Sequence, residues 1–165
     1  MSLTFLDRHP SRALLLWMGL AAWAAVAMAW TAQHRFDMQP CPWCILQRIL
    51  FLSIGALAFL SALLPPDLRR SGTRLTGPLM ALLGLCGVAA AAYQNLYAAK
   101  SSSCALSLAD RIITFLSLDR LWPDMFEVRA SCAEAAVKLL GLPFELWSLG
   151  LFLLLAWGAL VAARR

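Results

Sequence analysis

Charged residues and histidines are scarce in this sequence of 165 residues. Asp, Glu, Lys and Arg make up 14% of the chain, whereas 61% of it is hydrophobic. Soluble domains carry about 25% charged residues, so this composition excludes an ordinary soluble protein. Only His9 and His34 could offer imidazole ligands to a metal. The chain also lacks any haem, flavin or nucleotide motif and any strand-like alternation. Its net charge of +5 comes mainly from arginines scattered at segment ends, which predicts no nucleic-acid partner.

What the sequence has instead is four long apolar stretches. Crossing a bilayer takes about 20 apolar residues in a helix. Residues 13–32, 44–64, 75–99 and 146–163 fit this requirement, with Arg48 as their only charge. Because helices satisfy the backbone in lipid, we predict an all-α membrane protein with a single domain, a four-helix bundle in the lipid bilayer. The breaker-rich segment 65–72 predicts a tight turn between spans two and three. Small residues on spans one, three and four favour close helix packing.

The basic residues predict the orientation of this bundle. Four crossings place seven arginines on one side of the membrane: Arg8, Arg12, Arg69, Arg70, Arg74, Arg164 and Arg165. The positive-inside rule then makes both termini cytoplasmic and places the loops 33–43 and 100–145 outside. The first span also resembles a signal peptide, with Ala27-Met28-Ala29 as a cleavage site. Three further spans follow without a soluble domain to export, so we expect the first span to be retained.

Two of the five cysteines, Cys41 and Cys44, open the second span as Cys-Pro-Trp-Cys. A helix that begins here brings both thiols to its N-terminal end, where unpaired N–H groups and the helix dipole favour a thiolate. Such a pair can be redox-active, half of a zinc site, or inert. Zinc would need Cys104 and Cys132 as further ligands, and these are far apart in sequence. We therefore favour a redox pair. Pro42 between the thiols is typical of such pairs.

Arg48 follows Cys44 by one helical turn and shares its face with Gln47. An arginine inside a span is costly. It could reach the outer headgroups, since it lies only about one turn inside, or it could stabilise a thiolate or a ligand oxyanion. The outer end of span three brings polar and aromatic side chains to the same depth: Tyr93, Gln94, Asn95 and Tyr97. Interfacial aromatics need no function. With Arg48 they could equally rim a pocket for a lipid-soluble quinone.

The second candidate pair is Cys104 and Cys132, both predicted outside, where a disulfide is the default. As a structural staple it would stabilise a loop of about 29 residues by roughly 3–4 kcal/mol. As an exchangeable disulfide on a mobile arm, it could pass a disulfide to the neighbouring Cys-Pro-Trp-Cys pair. The serines at 101–103 favour a mobile arm.

Two further features lie outside these pairs. Residues 106–117 place Leu106, Ala109, Ile112, Ile113 and Leu116 at helical spacing. This pattern predicts a short amphipathic helix in the second outer loop, either on the membrane surface or packed on the bundle. Cys86 lies inside span three, and we predict that it is a small buried hydrophobic residue.

The segment 41–48, Cys-Pro-Trp-Cys-Ile-Leu-Gln-Arg, resembles the signature of the disulfide bond formation protein B (DsbB) family. The segments Ser131-Cys132-Ala133-Glu134 and Gly141-Leu142-Pro143, with Trp147, resemble it too. The resemblance covers nearly the whole chain. It implies a dithiol:quinone oxidoreductase of the bacterial inner membrane. Such an enzyme reoxidises a periplasmic thioredoxin-like thiol oxidase (DsbA-like) and reduces ubiquinone or menaquinone.

The same resemblance assigns roles on the quinone side. It makes Cys41 and Cys44 the pair that faces the quinone, with Cys44 as the thiolate that engages the ring. Arg48 would support the quinone and the thiolate, and Gln94 matches a glutamine frequent in the family. The run 89–92 departs from the family because it lacks a basic residue or histidine often found near the quinone.

On the outer side, the resemblance makes Cys104 and Cys132 the pair that meets the partner, with Cys104 as the site of the mixed disulfide. Val137 departs from an aromatic that can occur there. Two alternatives remain open. The quinone reductases of the vitamin K epoxide type also use Cys-x-x-Cys in a helical bundle, although usually in a later helix. A membrane subunit without enzymatic activity would use the outer disulfide only as a staple.

Overall fold

Four long helices dominate the computed structural model, which describes residues 10–100 and 107–164. In chain order the helices and strands are α1 (Pro10–Phe36), α2 (Pro42–Leu63), α3 (Pro66–Leu96), a 3₁₀ turn (Ala98–Lys100), α4 (Leu108–Leu116), α5 (Leu118–Leu121), α6 (Pro123–Phe126), β1 (Lys138–Leu139), β2 (Leu142–Pro143) and α7 (Phe144–Arg164). The strands form one short antiparallel hairpin.

The four long segments are long and apolar enough to cross a membrane: Ser11–Phe36, Pro42–Leu63, Pro66–Lys100 and Phe144–Arg164. This confirms the predicted all-α membrane protein with four spans. Their packed faces form the main core, where the rings of Phe51 and Phe152 stack with centroids 3.8 Å apart. The faces turned away from the core expose large apolar side chains, as expected for helices surrounded by lipid.

The link between α2 and α3 is shorter than the segment 65–72 that was predicted as a turn. Helix α3 already begins at Pro66, so Leu64 and Pro65 alone connect the two helices. Proline suits the first position of a helix because its missing N–H is not needed there. The buried Arg69 then folds back and donates to the Leu64 carbonyl through Nε at 3.2 Å and Nη2 at 2.8 Å. Arg69 was used in the sequence analysis only as a marker of the cytoplasmic side. In the structure it also caps the C-terminal end of α2.

Small residues let α3 and α7 approach closely, as predicted for spans three and four. A Cβ added at Gly77 would lie 2.6 Å from the Cβ of Ala163. One added at Gly84 would lie 2.9 Å from the Cβ of Ala156. Contacts this short require the two backbones to separate, so glycine sets the distance between these helices.

The prediction that Cys86 is buried is wrong. Its side chain is exposed on the outside of α3, next to the exposed Leu85, whereas Gly87 faces Phe152 inside the bundle. An apolar run inside a membrane span does not reveal which face meets the protein, because lipid accepts a thiol as readily as the core does.

The predicted amphipathic helix is present as α4 and packs on the bundle. Ser107 caps it by accepting from the amide of Asp110 at 3.3 Å. Its Ala109 and Ile113 are buried against residues of α2. Leu108 and Phe115 on the same short helix are exposed, and Leu106 lies outside the described residues. The helix therefore covers the N-terminal end of α2, where Cys-Pro-Trp-Cys begins.

Candidate functional site

The Cys41 and Cys44 thiols form a close pair at the start of α2. Cys41 is the N-cap residue, and its sulfur accepts from the Cys44 amide at 3.3 Å. The two sulfurs are 2.9 Å apart, and both cysteines are free thiols. The contact with Cys44 and burial raise the pKa of the Cys41 thiol, which favours its protonated form.

The two thiols differ in their access to the surroundings. Cys41 is fully buried, whereas Cys44 is only half-buried. Cys44 also packs against the cluster that contains Trp43, and the ring of Trp43 packs against Tyr93 with centroids 4.8 Å apart. Tyr97 continues this row of aromatic rings, 5.4 Å from Tyr93. A reactant that approaches from the side of the bundle therefore reaches Cys44 before Cys41.

Gln94 lies directly against the reactive pair. Its Nε2 donates to the Cys44 sulfur at 3.3 Å, and its Oε1 accepts from Gln47 Nε2 at 2.8 Å. Gln47 and Gln94 are both buried. Because Gln47 fixes the acceptor end of Gln94, the donor end points at sulfur. Gln94, predicted from its depth in span three, therefore contacts the site.

Arg48 is enclosed by protein and does not extend to the surface. Its side chain is 5% exposed. Nη1 donates to Gln33 Oε1 and to the Met125 carbonyl, both at 2.9 Å, and Nη2 donates to the Ala29 carbonyl at 3.5 Å. Gln33 in turn donates to the Asp124 carbonyl at 3.1 Å. We call these contacts the Arg48 knot. They fix the guanidinium of a residue one turn after Cys44 and join α1, α2 and the segment 124–125.

Gln33 is a residue of this site that the sequence analysis missed. It is buried although it lies near the end of an apolar span, and both ends of its amide are used. A signal existed, because a polar residue near the end of span one must find a partner, and Arg48 in the next span needs one at a similar depth. Sequence spacing alone could not pair them, since the rotation of α1 relative to α2 was unknown.

The segment 129–132, between the short helices and the hairpin, docks beside Cys41. The backbone amides of Arg129 and Ala130 both donate to the Pro40 carbonyl, at 3.1 and 3.2 Å. Cys132 follows, fully buried, in one packed cluster with Cys41. Cys132 is disulfide-bonded, whereas Cys104, its predicted partner, lies outside the described residues. Backbone hydrogen bonds thus join the residue before Cys41 to the residues shortly before Cys132.

A reciprocal turn holds Cys132 in this position. The Ser131 amide donates to Glu134 Oε2 at 2.8 Å, and the Glu134 amide donates to Ser131 Oγ at 3.3 Å. This is the arrangement of a capping box. The hydrogen bond from the Ser131 amide lowers the pKa of Glu134, so the carboxylate that closes the turn around Cys132 stays ionised at a more acidic pH than an ordinary glutamate does.

Within the described ranges, no three Cys, His, Asp or Glu side chains come together in a group that could hold a metal ion. The side chains gathered at the pair are instead a glutamine amide, aromatic rings and, one turn away, a guanidinium.

Comparison with known proteins identifies the family to which the chain belongs. The sequence profile of the family described as "Disulfide bond formation protein DsbB" matches residues 11–162. The chain belongs to the DsbB family. The match includes all four spans and both cysteine-bearing loops.

Individual DsbB relatives match over nearly their full length. A disulfide bond formation protein B of Ralstonia nicotianae is 33% identical over 157 residues, which is 94% of this chain and 95% of the relative. The protein of the same name from Dechloromonas aromatica is 31% identical over 166 residues, 96% of each chain. Disulfide bond formation protein B 1 of Pseudomonas syringae pv. syringae is 36% identical over 150 residues. As a DsbB family member, the chain is a multi-pass bacterial membrane protein with an oxidoreductase role in disulfide bond formation.

Proposed function

We propose that the protein is a dithiol:quinone oxidoreductase of the bacterial inner membrane. It takes electrons from a periplasmic thioredoxin-like (DsbA-like) dithiol oxidase and passes them to ubiquinone or menaquinone. The observation that carries this proposal is the packing of the disulfide-bonded Cys132 beside the Cys41–Cys44 pair. A structural staple needs no such neighbour, whereas a disulfide relay does, because exchange requires sulfur to reach sulfur.

The first half of the relay takes place in the outer loop. A thiolate of the partner attacks Cys104, forms a mixed disulfide with it and breaks the bond from Cys104 to Cys132. Cys132 leaves as a thiolate. Full burial of Cys132 in the docked loop supports this order, because the partner cannot approach that sulfur from solvent. The second thiol of the partner then attacks the mixed disulfide, which releases oxidised partner and leaves Cys104 reduced.

The second half moves the electrons inward. When Cys41 and Cys44 are disulfide-bonded, the Cys132 thiolate attacks Cys41 and Cys44 leaves as a thiolate. Cys104 then attacks Cys132, which restores the outer disulfide and releases Cys41 as a thiol. The net result is that the partner dithiol is oxidised and the Cys41–Cys44 disulfide is reduced to two thiols. The hydrogen bonds to Pro40 support this step because they hold the two segments side by side.

The final acceptor reacts at Cys44. A quinone supplies the capacity to take two electrons and two protons, which restores the Cys41–Cys44 disulfide. The donor set suits such a ring, since Gln94 presents an amide N–H at the Cys44 sulfur and Tyr93 offers an aromatic face beside Trp43. Arg48 provides a fixed positive charge one turn away that stabilises negative charge on Cys44. Gln94 and Arg48 are therefore the residues that we propose to hold the quinone ring.

The test is quinone reduction by the purified protein with a reduced thioredoxin-like dithiol as electron donor. We expect turnover with the wild type. We expect the Cys44→Ser variant to oxidise about one equivalent of partner without turnover, because the outer pair still works once. A double variant, Cys104→Ser with Cys132→Ser, should be inactive. Turnover of that double variant at the wild-type rate would reject the relay and leave the outer disulfide as a structural staple.

A further inference from the structure

A short hairpin separates the segment that contains Cys132 from the last span. Its strands pair Lys138 with Pro143 and Leu139 with Leu142, and Leu140 and Gly141 form the connection. Both connecting residues have positive φ, 54° for Leu140 and 84° for Gly141. This is the pattern of a type I′ turn, which favours asparagine, aspartate and glycine at these two positions.

Leucine is an unusual choice for the first position of this turn. Its Cβ is strained at positive φ, and the side chain gains nothing from the protein core because Leu140 is 86% exposed. Leu139 and Leu142 beside it are also exposed, 46% and 49%. A strained turn that also exposes apolar side chains predicts a favourable contact with something outside the chain, which offsets the strain.

The position of the hairpin identifies that contact. Helix α7, the last span, begins at Phe144, directly after β2. Trp147, one turn into the span, donates from Nε1 to the Leu139 carbonyl at 3.3 Å. The hairpin therefore lies along the first turn of the span, at the depth of a half-exposed tryptophan, and does not project away from the bundle. Tryptophan at the end of a span is characteristic of the membrane interface.

We propose that the hairpin 138–143 is a lipid anchor, in which Leu140 enters the boundary between headgroups and acyl chains of the outer leaflet. Leu139 and Leu142 flank it at the same boundary, and the exposed Lys138 at the foot of β1 lies beside the lipid phosphates. Transfer of Leu140 from water into this layer is favourable, which offsets the strain of the turn. The anchor fixes to the membrane the end of the loop that contains Cys132.

The test uses the full-length protein in vesicles of phosphatidylethanolamine and phosphatidylglycerol. A photoreactive diazirine analogue of leucine is incorporated at position 140 and, in separate samples, at Leu154 and Glu134. Leu154 is exposed on span four and Glu134 is exposed in the turn after Cys132, so they report lipid and water respectively. We expect phospholipid adducts at 140 and 154 but not at 134. Only the water product at 140, or an adduct to protein, would overturn the proposal.

A second measurement separates lipid contact from turn strain. Asparagine tolerates positive φ better than leucine does, so Leu140→Asn keeps the hairpin. If lipid holds the hairpin, the amides of residues 138–142 should exchange with deuterium on the order of tenfold faster in Leu140→Asn vesicles. Leu140→Met should keep the wild-type rate because it stays apolar. Exchange in Leu140→Asn that is equal to or slower than in the wild type would show that lipid does not hold the hairpin.

Discussion

At the residue scale, the four cysteines of the proposed relay need different surroundings. Cys132 has to be both buried and reactive. It is fully buried beside Cys41, yet its disulfide has to be opened from outside. A buried sulfur is protected from stray thiols, and it becomes reactive only after its partner sulfur has been attacked. This gives Cys132 the role of the thiol that carries the exchange inward to Cys41, and the partner does not touch it.

Replacement of that thiol should trap the partner. In Cys132→Ser, Cys104 is a free thiol. The partner is therefore supplied with its second cysteine replaced by serine and its first cysteine joined to a small thiol as a mixed disulfide. Cys104 attacks the partner sulfur and releases the small thiol, and about one equivalent of partner should stay covalently bound because neither Cys132 nor a second partner thiol can release it. Non-reducing gel electrophoresis and mass spectrometry measure the adduct. Cys86→Ser is the matched control, because Cys86 is a free thiol on the outer face of α3; it should turn over like the wild type. Rapid turnover in Cys132→Ser would contradict the assigned role.

Arg48 should act mainly through its charge. Arg48→Met keeps similar length but removes the guanidinium, so we expect quinone turnover to fall by tenfold or more, on the basis of about 1.4 kcal/mol per factor of ten. Formation of the mixed disulfide with the partner should change little. The measurement is steady-state quinone reduction at saturating and limiting quinone, alongside partner trapping.

The control for Arg48 is its own hydrogen-bond partner. Gln33→Leu removes a contact of the Arg48 knot but leaves the positive charge in place. It should lower the free energy of unfolding by about 1–3 kcal/mol, since Arg48 and the Asp124 carbonyl each lose a partner in a buried place. Its turnover should exceed that of Arg48→Met. Equal loss of turnover in both variants would mean that turnover depends on the hydrogen bonds of the Arg48 knot and not on the positive charge.

At the scale of helices and strands, the close approach of α3 and α7 is the contact most sensitive to a single added carbon. Gly84→Ala places a methyl group 2.9 Å from the Cβ of Ala156 and 3.2 Å from the Phe152 carbonyl. We expect a loss of about 1–3 kcal/mol in the free energy of unfolding, measured by titration with a denaturing detergent. Gly150→Ala in α7 is the control, because a Cβ there meets nothing within 4 Å. A stable Gly84→Ala variant would show that the helices tolerate separation.

The composition predicted which segments are membrane-spanning helices. It did not predict which face of each helix packs against the rest of the protein. The four spans could be predicted because lipid demands about 20 apolar residues for each crossing. The exposure of Cys86 could not be predicted, because the same apolar residue types occur on the helix faces that meet lipid and on those that meet protein. The helical conformation of residues 66–72 was also missed, because two prolines and a glycine suggested a turn where Pro66 starts α3.

The site was predictable where the chemistry is local in sequence. Cys41, Cys44 and Arg48 share one helix, so their spacing fixed their relation before any fold was known. Gln94 was assigned to the site from its depth in the membrane and from its match to a glutamine frequent in the family. The contacts of Arg48 with Gln33 and the Met125 carbonyl depend on how three segments pack, and no local pattern encodes that packing.

At the scale of the whole molecule, the orientation in the membrane stays a prediction that labelling can test. Reporter cysteines are introduced by Ala133→Cys in the outer loop and Ser71→Cys at the start of α3, both exposed positions, with the native cysteines replaced by serine. A membrane-impermeant maleimide should label the first in intact spheroplasts and the second only after lysis, because arginines mark the inner side. The reverse labelling would refute cytoplasmic termini.

The Arg48 knot has a consequence for how the chain is made. Its acceptors in α1, Gln33 and the Ala29 carbonyl, are synthesised before Arg48, but the Met125 carbonyl follows 77 residues later. A guanidinium that enters the membrane with too few acceptors is unstable there, so α1 and α2 should pair as soon as they are inserted. The third acceptor arrives only with the outer loop. The nascent chain therefore completes the surroundings of its reactive thiols late, at the time when the second pair of cysteines is also in place.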